Sequence, residues 1–250
     1  MLAGRDGRSK GACPFCQDMF LKLLIKREAD NDFSFDVITI NCKNPPKEFK
    51  EISKKLPALV HGDMVLNDID DIEDYLDSNY PNYKLALQDP DAFKIQSNVF
   101  KRFTYLIKDV HNNPQALIDE LEKIDSFLRE RGTKYISGNQ ITSLDCSLWP
   151  KLQHIRVASE YLLNFTIPTQ FSALWSYLGI IIKNFKKKDE IESTFLILGS
   201  AYELDAFVKS CPSDQEIVMH WTRREISPRE YLQLTTDEPK TSLDIPRRFR

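Results

Sequence analysis

The hydrophobic pattern of this 250-residue chain changes period once, near residue 80, and that change constrains the fold more than any other feature. Before it, helical and strand-like stretches alternate. From Gly11 onward, Phe15, Met19, Phe20, Leu23 and Leu24 recur at three-to-four spacing, which predicts an amphipathic helix. Pro14 falls in its first turn, where a missing N–H costs nothing. Residues 32–40 (DFSFDVITI) alternate and are rich in β-branched and aromatic residues, which predicts a strand. Asn44-Pro45-Pro46 punctuates the chain, and residues 47–54 predict a short helix. Residues 58–61 read as a brief strand, His61-Gly62-Asp63 as a hairpin turn and residues 64–66 as the return strand. Asn67 or Asp68 then caps a helix with Ile69, Ile72, Tyr75 and Leu76 on one face. The order helix, strand, helix, hairpin, helix is α/β.

Beyond Pro81 and Pro90 only helical spacing remains. Residues 92–110 and 114–131 each carry an apolar stripe, and Gly132 stops the second. Thr142 and Asp145 fit a capping arrangement, with Ile141 placed as a hydrophobic staple, ahead of a helix through Trp149, Leu152, Ile155 and Val157. Pro150 is expected to bend it. Residues 171–182 and 201–208 predict two more helices. The expected organisation is an α/β domain over 1–80, an all-helical domain over 90–226 and a flexible polar tail over 227–250.

Composition excludes several function classes. Lys plus Arg number 34 and Asp plus Glu 37, a net charge of −3, which gives no footprint for nucleic acid. Mean hydropathy is −0.40, and no run approaches the ~18 apolar residues of a membrane-spanning helix. Met1–Lys10 has no apolar core and does not read as a signal peptide. Five widely spaced cysteines do not make a secreted disulfide framework, so a reduced cytoplasmic protein is expected.

Cys13-Pro14-Phe15-Cys16 is the most informative local motif. Two thiols three residues apart at a helix amino end suit redox chemistry. The dipole and free N–H groups stabilise a thiolate on Cys13, and Cys16, one turn on, can resolve a mixed disulfide. Half a zinc site is a competing reading, but Cys42, Cys146, Cys211 and the four histidines supply no second close pair. Two merely buried cysteines are another. Leu56-Pro57 reads either as a cis bond that offers a backbone edge to a peptide-like ligand or as an ordinary strand-opening proline. Asp68 is a helix cap or a contact for a ligand's amino-acid end. Cys42, Cys146 and Cys211 are expected to be small buried hydrophobes, His154 and Arg156 to be structural, and Lys183–Lys188 to be a solvated charge run.

Residues 3–17 (AGRDGRSKGACPFCQ), the Leu56-Pro57 turn and Leu66–Leu76 resemble the chloride intracellular channel family. So do residues 137–156 (SGNQITSLDCSLWPKLQHIR), 165–168 and 206–217. The flavour is invertebrate, since an acidic loop of vertebrate members is absent, and the family in turn resembles omega-class glutathione transferases. The resemblance implies α/β plus all-α architecture, a thioredoxin-like domain followed by a glutathione-transferase-type helical domain. It implies glutathione as ligand, with Cys13 forming a mixed disulfide, Phe15 beside it, Leu56 pairing through its backbone, Pro57 cis and Asp68 near the γ-glutamyl end. It also implies membrane insertion, chloride conduction and an oligomer in the membrane as a second form.

Four departures from the family pattern stand out. Only Met1 and Leu2 precede the Ala3 stretch, so the first strand is expected to be missing. Cys16 replaces a serine common in vertebrate relatives, making the motif a dithiol. Ile69 stands where the transferase signature has a serine, which removes a hydroxyl donor and predicts weak glutathione affinity. Ile180–Gly199 interrupts an otherwise matching block and reads as an insertion. The expected function is a chloride-intracellular-channel-like protein whose soluble form is a glutathione-dependent thiol–disulfide oxidoreductase with Cys13 and Cys16 as catalytic residues. The alternative is a non-catalytic scaffold or regulatory protein on the same fold.

Overall fold

Helix α1 (Pro14–Ala29) is the element around which the rest is built. The computed structural model describes residues 1–110, 113–179, 204–222, 227–243 and 246. Cys13 caps α1 in extended conformation, and its carbonyl accepts the first helical bond from the Gln17 N–H at 2.9 Å. Pro14 occupies the first turn, and Lys26 and Arg27 in the last turn complement the carboxyl end of the dipole. Leu21 and Ile25 enter a large apolar cluster, whereas Met19 and Leu23 enter a smaller one.

Asp18, Lys22 and Lys26 of α1 are not on a solvent face, as simple amphipathicity would have them. Lys22 is buried between Asp18 at 2.8 Å and Glu73. Burial works against its charge, but the two carboxylates outweigh it and hold the ammonium above its usual pKa. Lys26 pairs with Asp77 at 2.6 Å and donates to the Tyr80 and Tyr83 carbonyls, both at 2.9 Å. Asp77 also accepts the Ala86 N–H at 2.7 Å, so the segment leading into the helical half is tied down at several points.

After α1, α2 (Lys47–Ile52) precedes a hairpin of β1 (Leu59–His61) and β2 (Met64–Leu66), paired antiparallel with Val60 opposite Val65. Gly62 takes a positive φ of 59° at the first loop position, which a two-residue turn of this type requires. Helix α3 (Ile69–Asn79) begins at Asp68, whose carboxylate accepts the Asp70 N–H at 3.0 Å, and buries Ile72 and Leu76 in the smaller cluster.

Residues 32–40 depart from the strand expected there. Among the described residues, its one ladder contact is a parallel bridge between Ile40 and Leu2. Ala3 donates to the Ile40 carbonyl at 2.9 Å, and Ile40 donates to that of Met1 at 2.8 Å. Among the described residues, no backbone hydrogen bond joins 34–37 to another segment. The β pattern is present, but a strand needs a neighbour along its whole length, and Met1–Ala3 reaches only its end. Gly11 permits this stub to lie close, because a Cβ there would collide with the Ala3 carbonyl.

The helical half contains α4 (Pro90–Gln96), α5 (Val99–Ile107), α6 (Gln115–Arg131), α7 (Ser143–Leu163), α8 (Ser172–Leu178), α9 (Asp205–Ser210) and α10 (Asp214–Trp221). The single helix expected over 92–110 is two. The Ser97 hydroxyl folds back onto the Lys94 carbonyl at 2.8 Å, and Asn98 starts the next helix. Gly132 ends α6 with a φ of 60°. At the start of α7 the Asp145 carboxylate is fully buried. It accepts from the Thr142 N–H and the Ile136 N–H, both at 2.9 Å, and from the Thr142 and Tyr177 hydroxyls, both at 2.8 Å.

Helix α11 (Pro228–Thr236) and the strap after it replace part of the expected loose tail. Asp214 donates its N–H to the Lys240 carbonyl at 2.7 Å and accepts the Ser242 N–H at 3.0 Å. Arg156 of α7 reaches the Ser242 hydroxyl at 2.9 Å. Ile180–Gly199 and Lys183–Lys188 lie outside the described residues.

Candidate thiol site

Cys13 is partly exposed at the amino end of α1, and Cys16, one turn on, is buried. The neighbouring Cys16 thiol favours the Cys13 thiolate, burial opposes it, and the Cys16 and Phe15 N–H groups add to the favourable side. The net effect brings Cys13 down to about 7 from the ordinary thiol range. Cys16 moves the other way: its hydrogen bond to Cys13 and its burial push it far up. The two shifts are opposite in sign, favouring the charged form at Cys13 and the neutral form at Cys16.

Phe15 is 43% exposed and meets Phe100 edge-on at 6.1 Å between ring centres. Phe100 packs on Phe103 and Trp221, and Trp221 donates its indole N–H to His154 Nδ1 at 2.9 Å. The aromatic wall beside the motif is therefore supplied by α5 and α10. Sequence reading placed Phe100 only in a core stripe and found no signal for Trp221. His154 is structural, as expected, and its burial drives its pKa down to about 3.

The Leu56–Pro57 bond is cis. Neither backbone group of Leu56 has a hydrogen-bond partner among the described residues. Leu56, Pro57 and Cys16 line one cavity of about 620 Å³, while Asp68, exposed at the start of α3, does not. The structure thus sets Cys13 and Cys16 one turn apart at the start of α1 and brings Cys16, Leu56 and Pro57 to a shared cavity. No contact links Asp68 to the thiols among the described residues.

Cys42 corrects an expectation. Cys146 and Cys211 are buried, but Cys42 is exposed and lies within electrostatic reach of Cys13. The expectation rested on the ordinary burial of free cysteines, but the run before Cys42 has, among the described residues, no sheet to cover it. Among the described residues, no group of three metal-ligating side chains forms, so the zinc reading finds no second ligand set.

Residues 1–81 match the CLIC-like N-terminal domain, and residues 112–179 match the glutathione S-transferase C-terminal domain. The chain is 32% identical over 246 residues to the chloride intracellular channel Clic of Drosophila melanogaster, covering 96% of this chain and 86% of that one. The chain belongs to the chloride intracellular channel family. The crystal structure of the CLIC homologue EXC-4 from Caenorhabditis elegans superposes with a TM-score of 0.76 at 26% identity, over 96% of this chain and 89% of that one. Dehydroascorbate reductase from Chlamydomonas reinhardtii shares the fold, with a TM-score of 0.68 at 23% identity, over 88% and 94% of the two chains. The architecture is that of a glutathione transferase, a thioredoxin-like domain with a small sheet joined to a helical domain. In this family member no described helix is long and apolar enough to cross a membrane.

Proposed function

We propose that this chloride intracellular channel family member acts as a glutathione-dependent thiol–disulfide oxidoreductase through Cys13. The observation that carries this reading is the partly exposed Cys13 at the amino end of α1 with the buried Cys16 one turn on, a setting that lowers the Cys13 thiol to about 7. The Cys13 thiolate attacks one sulfur of a substrate disulfide, and the other sulfur leaves as a thiolate and takes up a proton. A Cys16 or glutathione thiolate then attacks the Cys13 sulfur of the mixed disulfide, which releases the second substrate thiol. Two glutathione thiols, oxidised to glutathione disulfide, supply the two electrons.

The residues fit glutathione in part. Cys13 meets its thiol, the unpartnered Leu56 backbone suits its extended peptide, and Phe15 and Pro57 flank the motif. Asp68, with Asp70 and Asp71 in the same turn, suits the γ-glutamyl ammonium. Ile69 offers no donor to the neighbouring carboxylate, so weak affinity is expected. The test is glutathione-coupled reduction of a disulfide substrate by the wild-type chain and by Cys13→Ser. Loss of activity in the variant, with a Cys13 alkylation midpoint near pH 7, is the expected result. Undiminished turnover removes the reading. Absence of any glutathione adduct by intact mass favours a non-catalytic scaffold.

Chloride conduction by a membrane-inserted oligomer is the second reading, and what supports it is the relatives' name. Asp18, Lys22 and Lys26, paired inside this fold, would lose Glu73 and Asp77 if α1 entered lipid, at ~2.5–3.5 kcal/mol for each central charge. Chloride efflux from protein-loaded liposomes, measured with and without oxidation, tests it. No efflux under either condition rejects it.

A further inference from the structure

We infer that His154 is a positioning residue for the thiol site, fixing the Phe15 ring beside Cys13 through the Trp221 indole and the Phe100 ring. The inference deepens the proposed thiol chemistry and rests on Cys13 as its nucleophile. His154 of α7 is fully buried. Its Nδ1 accepts the Trp221 indole N–H at 2.9 Å, so the ring proton sits on Nε2, and Nε2 has no hydrogen-bond partner among the described residues. A buried N–H left unpaired costs stability, and an apolar side chain of similar volume would avoid that cost. An apolar side chain would not supply the acceptor for Trp221. Burial keeps the imidazole neutral, so Nδ1 retains its lone pair at the pH where thiols react.

That one bond leads to the thiol turn. Trp221 closes α10, which packs on α7, and its buried indole is held at the nitrogen. The indole meets Phe103 at 4.9 Å and Phe100 at 5.8 Å between ring centres, both edge-on. Phe100 of α5 in turn meets Phe15 edge-on. Phe15 stands two residues from Cys13, its N–H favours the Cys13 thiolate, and its ring is partly open to whatever approaches that sulfur. A side chain of the thiol turn is thus seated by a row of rings whose far end is locked by His154. A group at a reacting centre keeps its geometry only when the residues behind it are themselves fixed.

The test is alkylation of Cys13 by N-phenyl iodoacetamide and by iodoacetamide, followed on the Cys13 peptide by mass. In both reactions the thiolate sulfur bonds to the CH₂ carbon and iodide leaves, so the ratio of the two rates isolates the fit of the phenyl group. The wild-type ratio should exceed that of free glutathione at least fivefold. His154→Leu should lower the ratio at least threefold, with the iodoacetamide rate alone within twofold of wild type. His154→Gln, whose amide oxygen accepts the indole N–H, should hold the wild-type ratio. Trp221→Phe, which keeps a ring and loses the N–H, should lower it as His154→Leu does, and adding His154→Leu to it should change nothing further. Three outcomes overturn the inference: a wild-type ratio equal to that of glutathione, an unchanged ratio in Trp221→Phe, or a further fall in the double variant. The readout needs no turnover. Absence of glutathione-coupled reduction with this pattern intact removes the oxidoreductase reading and supports the positioning role.

Discussion

The two halves of this molecule solve the same backbone problem differently. In the helical half N–H groups inside each helix find their partners four residues away, so α5, α6, α7 and α10 close around one continuous apolar cluster. In the sheet-bearing half the partners must come from distant segments. Among the described residues its own buried cluster is Met19, Leu23, Phe33, Ile72 and Leu76, and a 620 Å³ cavity lies beside it. A helical domain tolerates local variation because each element is self-sufficient in hydrogen bonds. A sheet does not, since its strands depend on one another for their hydrogen bonds.

Substitutions in the two clusters should separate these behaviours. Leu152→Ala, at a fully buried position of the helical cluster, should cost about 4 kcal/mol in chemical denaturation, because its close-packed surroundings cannot collapse onto the hole. A cost below ~1.5 kcal/mol would mean that the helical half is as loosely packed as its neighbour.

The ion pairs of α1 come next. Lys22→Met leaves buried Asp18 and partly buried Glu73 without their counter-charge and should destabilise by about 3 kcal/mol. Simultaneous Asp18→Leu and Glu73→Leu changes should restore most of that loss. Failure to do so would show that Lys22 acts through packing.

Acid should also strike the halves unequally. His154 is neutral in the helical core, with a pKa near 3 through burial. Below pH ~6.5 the unfolded chain binds a proton that the folded chain refuses, so stability falls as pH drops, by ~1.4 kcal/mol per unit. Between pH 6.5 and 5 the loss should reach about 2 kcal/mol, and His154→Phe should flatten the slope. An unchanged slope in that variant would move the acid sensitivity elsewhere. The smallest expected effect is Leu23→Ala. Leu23 lines the cavity and already lacks neighbours on one side, so truncation should cost about 1–1.5 kcal/mol. A cost matching that of Leu152→Ala would erase the contrast.

What was legible in the sequence follows the same division. Local signals were read correctly: Pro14 opening α1, the Gly62 turn, Gly132 ending α6, and Thr142 with Asp145 at the start of α7. The strand expected at 32–40 was not realised as a ladder, since alternation reports a preference and a partner strand must be present to fulfil it. The burial of Lys22 and Lys26 was also illegible, because their counter-charges Glu73 and Asp77 lie about fifty residues away. At the thiol site the dithiol itself was plain. The exposure of Cys42 and the wall of Phe100 and Trp221 behind Phe15 arise from tertiary placement, which no spacing rule encodes.

Helix α1 gives Leu21 and Ile25 to one apolar cluster and Met19 and Leu23 to the other. A helix shared in this way cannot melt with one half and survive with the other. Heating should therefore give a single transition rather than two, however unevenly the halves are packed, and the thiol pair at its tip loses its acidity at the same moment that either core fails.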